Sequence, residues 1–239
     1  MIKQEMYEKY YKLKNEIVEL QQSTDVSHGM KNAIEAMKKE IDIIFSVINQ
    51  PVQKKFSKLI QIGGGKNYLK EFINIDLFEP ADIICDVREG IPLPNQCATF
   101  IYCEHFLEHL DYPKSVELFL KECYRLLQAD GKIVIGVPNS FQAVSAYING
   151  DIEYFESHKE RWIKKKDAII DSYIDILNYH FRDVVNHPKY TPHYWAYDEE
   201  KLKKMLARLG YKNAYLWDLD KKLVNLERYQ RTLYVEALK

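Results

Sequence analysis

Three glycines and two aspartates stand at positions where their chemistry could bind a ligand. Gly63, Gly64 and Gly65 directly follow a short apolar run, and backbone without side chains lets a ligand come close to the end of a strand. Asp76 ends the next apolar run, where a carboxylate can bind both hydroxyls of a ribose. Asp86 ends a third run and could accept a hydrogen bond from an adenine amino group. Each aspartate alone is as consistent with an ordinary turn cap, so the prediction depends on their succession.

A second group, His105-x-x-Glu108-His109, has the spacing of the inverted zinc-protease motif. In that motif two histidines four residues apart on a helix bind zinc, and the glutamate activates water. The arrangement needs both histidines in the middle of a helix, but here they follow a predicted strand and precede the helix-breaking Pro113. A structural corner, with His109 bonded to backbone, is favoured, and we expect no metal.

After Pro51 the sequence alternates short apolar runs, bounded by turn residues, with longer helical patterns. This alternation is typical of an α/β protein, whose elements must position these residues. A helix opened by Pro113 and closed by Gly131 separates the last two predicted strands, so that strand, helix and strand imply a right-handed parallel crossover. A later helix begins at Asp198 and ends at Gly210. The predicted parallel strands are 58–62, 72–75, 81–85, 99–103 and 132–137, and runs 214–219 and 232–237 could pair as an antiparallel edge hairpin.

The order and spacing of seven motifs carry a family resemblance. They are IQIGGG at 60–65, NID at 74–76, Asp86, IPLP at 91–94, FLEHL at 106–110, YRLL at 124–127 and GKIVIGVPN at 131–139. Together they resemble the successive motifs of the type 11 methyltransferase family, in a trimmed subgroup with a short first crossover. The resemblance implies a class I fold, a Rossmann-like and mostly parallel sheet finished by an antiparallel edge hairpin.

The resemblance also implies S-adenosyl-L-methionine as cofactor, with S-adenosyl-L-homocysteine as product. By it, Gly63 and Gly65 approach the methionyl end of the cofactor, and Glu104 and His105 face the reacting sulfonium. The complete set of expected cofactor contacts is Gly63, Gly64, Gly65, Asp76, Leu77, Asp86, Val87, Glu104 and His105. Two positions depart from the family pattern, because Gln61 and Thr99 stand where acidic residues are usual.

An insertion at 140–196, rich in aromatic and histidine residues, lies where methyltransferases usually carry a lid over the acceptor. We expect most of its aromatic side chains to form its own core and the rest to be candidates for binding the acceptor. A histidine could remove the proton of an acceptor hydroxyl, and His105 and His193 are the candidates. The expected acceptor is a small molecule or glycan, methylated at oxygen. Cys103-Glu104-His105 does not match the Asn-Pro-Pro-Tyr motif of amino-DNA methylases, so no DNA substrate is expected.

Two other functions remain open. A nicotinamide dehydrogenase is disfavoured because Tyr68 replaces the third glycine of G-x-G-x-x-G, and because the glycines open no long helix for a pyrophosphate. A non-catalytic scaffold of the same fold is suggested by Gln61 and Thr99.

The first fifty residues carry apolar side chains at steps of four and three, which predicts a helical hairpin at 1–50 before the main domain at 51–239. The hairpin could pack on its own domain, form a homodimer or cover the active site, and packing or dimerisation is favoured. Lys and Arg number 34 against 35 Asp and Glu, so there is no overall basic excess for nucleic acid. With no apolar run long enough to span a bilayer and no secretory signal, a cytoplasmic protein is expected.

Overall fold

The computed structural model describes residues 58–166, 169–183 and 192–239, together with a few helical residues between 13 and 35. Ile17 and Ile34, both on the predicted apolar stripes, are helical and buried. The rest of the predicted hairpin at 1–50 lies outside the described residues, so the hairpin and the homodimer stay predictions. No helix of the described part is long and apolar enough to cross a membrane.

Seven strands form one sheet in the order β3-β2-β1-β4-β5-β7-β6. Strands β1 to β5 are parallel, and β7 runs antiparallel to both of its neighbours, β5 and β6. This order and these directions confirm the predicted Rossmann-like methyltransferase sheet with an antiparallel edge. The strands are β1 Leu59–Ile62, β2 Ile73–Asp76, β3 Ile83–Ile84, β4 Ala98–Glu104, β5 Leu127–Pro138, β6 Lys212–Leu216 and β7 Thr232–Leu238.

Some predicted boundaries are wrong. The helix expected to close at Gly131 ends at Leu126, because Leu127 adopts an extended conformation and pairs with Ala98 of β4. Pairing in the sheet therefore ends the helix earlier than the turn residue Gly131 predicts. Strand β6 ends at Leu216, short of the predicted 219, and β3 keeps only two residues of the predicted 81–85.

Five α-helices lie in the described ranges from residue 58 onwards. α1 Lys114–Leu126 and α5 Glu199–Arg208 bury their apolar faces in the main core, against the strands. α2 Ser140–Asn149, α3 Ile152–Lys166 and α4 Tyr173–Arg182 share a separate small core centred on Phe155 and Ile176. The ends of this inserted segment meet, since Asn139 and Tyr197 form a parallel β-bridge.

The connection between β1 and β2 has no helix, and two buried amides replace one. Gln61 and Asn74 are partners across the two strands. Gln61 Nε2 donates to the Asn67 carbonyl at 2.7 Å, and its Oε1 accepts from the Leu69 N–H at 3.0 Å. Asn74 Oδ1 accepts from the same Leu69 N–H at 3.0 Å, while Nδ2 donates to the carbonyls of Leu69 and Phe72, each at 2.8 Å. The backbone of the short crossover is thereby satisfied away from water.

Replacing Asn74 by alanine should destabilise the protein, because it removes three hydrogen bonds between the buried amide and the backbone of Leu69 and Phe72. At about 1 kcal/mol for each lost bond, we expect a loss of about 3 kcal/mol in the free energy of unfolding. Urea denaturation of the two proteins measures it. The matched control, Asn149→Ala on the exposed end of α2, should change the free energy by no more than about 0.5 kcal/mol. A loss below about 1 kcal/mol for Asn74→Ala would contradict the role given to the amide.

Candidate active site

The loop after β1 is tied to the end of β2. The Gly63 N–H donates to the Ile75 carbonyl at 2.9 Å, and the Gly65 N–H donates to Asp76 Oδ2 at 2.9 Å. The Phe78 N–H donates to Asp76 Oδ1 at 3.1 Å. Each carboxylate oxygen can accept more than one hydrogen bond, so Asp76 keeps capacity for the hydroxyls of a ribose. The predicted glycine and aspartate pair is thus brought together at the carboxyl edge of the sheet.

Phe106 covers this glycine loop. Gly63 has a φ of +67°, and a Cβ built on it would lie 2.2 Å from Cδ2 of Phe106. The phenyl ring in turn packs edge-on against Phe119 of α1, with ring centroids 5.2 Å apart. Any larger residue at position 63 would clash with a ring fixed from behind. By contrast, a Cβ on Gly65 would meet no atom within 4 Å, so this glycine faces open space.

The residues expected beside the adenine have different surroundings. Both oxygens of Asp86 are bound by the Arg88 guanidinium, with Nη2 at 2.6 Å from Oδ2. The Arg88 side chain is half exposed and could be displaced by a ligand. Val87 is buried in the main core, while Leu77 is 47% exposed directly after Asp76. Arg88 was not predicted, although an arginine two residues after Asp86 was a visible signal.

The carboxylate of Glu104, at the end of β4, has hydrogen-bond partners within the protein. It accepts the Asn225 N–H, with both oxygens at 3.2 Å, and the hydroxyl of Tyr234. Burial, followed by this hydrogen bond to Glu104, raises the pKa of Tyr234 well above its usual range. The predicted sulfonium-facing carboxylate is therefore also a tie to β7 and to the chain between β6 and β7. No local pattern in the sequence could have found these two partners.

His105 sits at the point where β4, β5 and β7 meet. Its backbone is in the left-handed region, with a φ of +50°, and its N–H donates to the Gly136 carbonyl at 2.8 Å. Such a conformation is unfavourable for a residue with a side chain and persists only where surrounding contacts hold it. The ring nitrogen Nδ1 lies 3.1 Å from Glu108 Oε1, and Nε2 lies 2.8 Å from Thr232 Oγ1.

Glu108 is the buried charge of the site. Its side chain is 1% exposed and lies in a 3₁₀ helix at Leu107–His109, not in an α-helix. Burial alone would raise the pKa of Glu108, but the hydrogen bond from His105 and the nearby charges of His109 and His193 outweigh it and lower the pKa to about 2. The carboxyl is therefore ionised at neutral pH.

His193 reaches this carboxylate from the other end of the insertion. Its Nε2 lies 3.9 Å from Glu108 Oε1, and the backbone pairs as well, since the Tyr194 N–H donates to the Glu108 carbonyl at 2.8 Å. Burial lowers the pKa of His193. Burial likewise lowers the pKa of the neighbouring His180 to about 4. The two predicted bases, His105 and His193, thus both approach the same carboxylate oxygen of Glu108, Oε1.

A groove follows the carboxyl end of β5. It has a volume of about 470 Å³ and lies between α2, the chain returning from the insertion and the start of α5. Phe141 is 72% exposed here and Trp195 is 43% exposed. In the described part of the insertion, Tyr154, Trp162 and Tyr173 pack in its own core instead. Tyr190 and His187 lie outside the described residues.

Comparison with known proteins agrees with this geometry. Residues 65–135 match the family model described as a methyltransferase domain. This match confirms the resemblance predicted from the motifs, and with it a methyltransferase that uses S-adenosylmethionine. No curated protein matches the sequence.

Solved structures similar to this chain include the following two proteins. One is a SAM-dependent methyltransferase from Archaeoglobus fulgidus, with 17% identity, covering 83% of this chain and 94% of that chain, at a TM-score of 0.43. The other, from Thermotoga maritima, is a SAM-dependent methyltransferase described as a possible histamine N-methyltransferase, with 14% identity, coverage of 83% and 87%, and a TM-score of 0.42.

Exchanging Asp76 for asparagine should weaken cofactor binding. The one oxygen of an asparagine can still accept the Gly65 N–H, so the glycine loop is retained. The Phe78 N–H loses its acceptor, and the charge that strengthens hydrogen bonds to the ribose is lost. Hydrogen bonds to charged groups contribute about 1.5–3 kcal/mol, so we expect roughly a 10- to 150-fold rise in the Kd of S-adenosylhomocysteine. Calorimetric titration measures it. Asp218→Asn, at an exposed aspartate, should bind as the parent does, and equal affinity in Asp76→Asn would exclude Asp76 from the cofactor site.

Proposed function

From the premise of a class I S-adenosylmethionine-dependent methyltransferase, we propose that the methyl acceptor is a small molecule or glycan and that the atom methylated is a hydroxyl oxygen. The observation that carries this proposal is the groove beyond β5, where exposed aromatic faces lie beside charged side chains. Its volume, about 470 Å³, is within the usual range for sites that bind small ligands. It opens at the same edge of the sheet as the glycine loop, the edge at which ligands bind in folds of this type.

The aromatic face of the groove is fixed in place before any ligand binds. The Trp195 indole stacks on the Tyr112 ring, with centroids 4.8 Å apart and planes at 24°. Lys201 holds that ring from α5, because its Nζ lies 4.1 Å from the ring centroid and donates to the Tyr112 hydroxyl at 2.8 Å. A rigid indole face suits a sugar or aryl ring, and it can bind that ring at little entropic cost.

His105 is the proposed base for the acceptor hydroxyl. A carboxylate on Nδ1 orients an imidazole and leaves Nε2 to take a proton, which is the relation between Glu108 and His105. Nε2 now contacts the Thr232 hydroxyl, whose single hydrogen is donated either to Nε2 or to the Arg228 carbonyl, 2.9 Å away. Thr232 therefore keeps a partner when an acceptor hydroxyl takes its place. Phe106, the next residue, touches the glycine loop, which supports a position for His105 close to the cofactor.

His193 does not take this role in the proposal. Its Nε2 is directed towards the carboxylates of Glu108 and Asp183, at 3.9 and 3.6 Å. A methyl transfer is an in-line displacement, so the main tasks of the protein are to align the two substrates and to receive the proton.

The first experiment is a titration with S-adenosylhomocysteine and, separately, NAD, followed by a screen of hydroxyl and amine acceptors with S-adenosylmethionine. We expect binding of the first compound alone and methylation of hydroxylated sugars or aryl compounds. Methylation of amines only would refute the oxygen assignment. Binding of the cofactor without turnover on any acceptor would favour the scaffold alternative.

Trp195→Ala should raise the KM for the acceptor found in that screen. Loss of the stacking face removes about 1–2 kcal/mol of contact energy, which is roughly a 10-fold rise in KM. The affinity for S-adenosylhomocysteine should not change. Ile148→Ala is the matched control, because Ile148 is also apolar and exposed, at 76%, but does not line the groove. An unchanged KM in Trp195→Ala would place the acceptor elsewhere.

His105→Gln should lower kcat while leaving the cofactor bound. Glutamine can still hydrogen bond to Glu108 or Thr232 but cannot take the proton. A positioned general base contributes about 10²- to 10⁴-fold, so a fall in kcat of that size is expected. Steady-state kinetics with saturating substrates, together with titration of S-adenosylhomocysteine, separate the two effects. A kcat equal to that of the parent protein would rule out His105 as the base.

A further inference from the structure

Two buried polar atoms at Glu108 have no hydrogen-bond partner among the residues that the structure describes. They are Glu108 Oε2 and the hydroxyl oxygen of Tyr197. Both residues line one small interior space, together with His180 and His193. Buried polar atoms in proteins nearly always have a hydrogen-bond partner. Buried atoms without one therefore indicate that an ion or a water molecule binds there. A carboxylate oxygen can accept only protons or cations, so the partner it needs is a donor or a metal.

The position of the hydrogen on the His193 ring decides between a hydrogen-bond donor and a metal as the missing partner. Its Nδ1 lies 2.8 Å from the His180 carbonyl, and because a carbonyl only accepts, Nδ1 carries the hydrogen. A neutral ring then directs the lone pair of Nε2 towards Glu108 Oε1 and Asp183 Oδ2, at 3.9 and 3.6 Å. Both distances are longer than a normal N–H···O bond of about 2.7–3.2 Å. The Nε2 lone pair of His193 and the two carboxylate oxygens therefore face one another with a gap between them.

His109 lies next to these atoms. Its ring packs edge-on against that of His193, with centroids 4.9 Å apart. Glu108, His109 and His193 each offer one ligand atom, and these three atoms lie within 4.8 Å of one another. Ligands on a tetrahedral zinc, with bonds of about 2.0–2.1 Å, are about 3.3 Å apart. Small rotations of the His109 and His193 rings would bring the ligand atoms to that separation.

We propose that Glu108, His109 and His193 bind a zinc ion. Two histidines and a glutamate are a known zinc donor set, and the hydrogen bond from His193 Nδ1 to a backbone carbonyl is the usual support of a metal-bound histidine. Asp183 adds a second negative charge nearby, so that the two carboxylates balance a divalent cation. The ion joins the turn after β4 to the chain that returns from the insertion.

This ligand set differs from that of the inverted zinc-protease motif. There, both histidines of His105-x-x-Glu108-His109 would be ligands. Here the two nitrogens of His105 contact Glu108 and Thr232, and the second histidine comes from the insertion. The site shares Glu108 with the proposed base, because Glu108 Oε1 also lies against His105 Nδ1. Zinc content and methyl transfer are measured separately, so failure of one proposal is distinguishable from failure of the other.

The test measures zinc content. The full-length protein is stripped with a chelator, reconstituted with Zn²⁺ alone, passed over a desalting column and analysed by mass spectrometry of the metal. We expect about one zinc per chain, and less than roughly a fifth of that in Glu108→Gln and His193→Gln. His105→Gln should keep its zinc. Zinc should also raise the Tm of the parent protein and leave that of His193→Gln unchanged.

Binding of S-adenosylhomocysteine to each variant shows that it is folded. No zinc uptake by the parent protein, or full uptake by His193→Gln, would overturn the proposal. Loss of zinc in His105→Gln together with retention in His193→Gln would also overturn it, in favour of the protease-type ligand set. Co²⁺ in place of Zn²⁺ gives the same comparison by visible absorption, because a four-coordinate site with nitrogen ligands colours strongly.

Discussion

The short connection between β1 and β2 constrains the whole carboxyl edge of the sheet. Residues 63–72 cross from one strand to the next without a helix, so their backbone groups cannot bond to one another in a helical ladder. Gln61 and Asn74, facing each other on the two strands, bind that backbone instead. Since the glycine loop and Asp76 are the two ends of this connection, the position of the cofactor residues depends on two amides that contact no ligand.

Gln61 illustrates how a departure from a family pattern can be explained. An amide stands at position 61, where an acidic residue is usual in the family that the motifs resemble. In the structure both ends of the Gln61 amide are used by the backbone of Asn67 and Leu69, and the side chain is 2% exposed. A carboxylate could not donate to the Asn67 carbonyl, so a glutamine is the residue that fits the shortened crossover.

The sequence predicts well what is local and poorly what is distant. Alternation of apolar runs and turn residues was enough for the five parallel strands and the edge hairpin, because strand period and turn chemistry are properties of neighbouring residues. The position of Asp76 at the end of β2 followed from the same pattern. The contacts of Glu104 with Tyr234 and of Glu108 with His193 join segments far apart along the chain, so no spacing rule reveals them. The helix end at Leu126 was missed because pairing of Leu127 with β4 outweighs the turn signal of Gly131.

The β-bridge between Asn139 and Tyr197 places the two ends of the insertion side by side. The segment between them has a hydrophobic core of its own. A change in its length or sequence should therefore have little effect on the packing of β5 and α5. Such a segment can be exchanged as a unit if the new one keeps contacts equivalent to those of His193 and Tyr194 with Glu108. Gene duplication followed by replacement of this one stretch would give a new acceptor specificity while the nucleoside-binding half of the molecule stays as it is, and a laboratory chimera could follow the same route with junctions at these two residues.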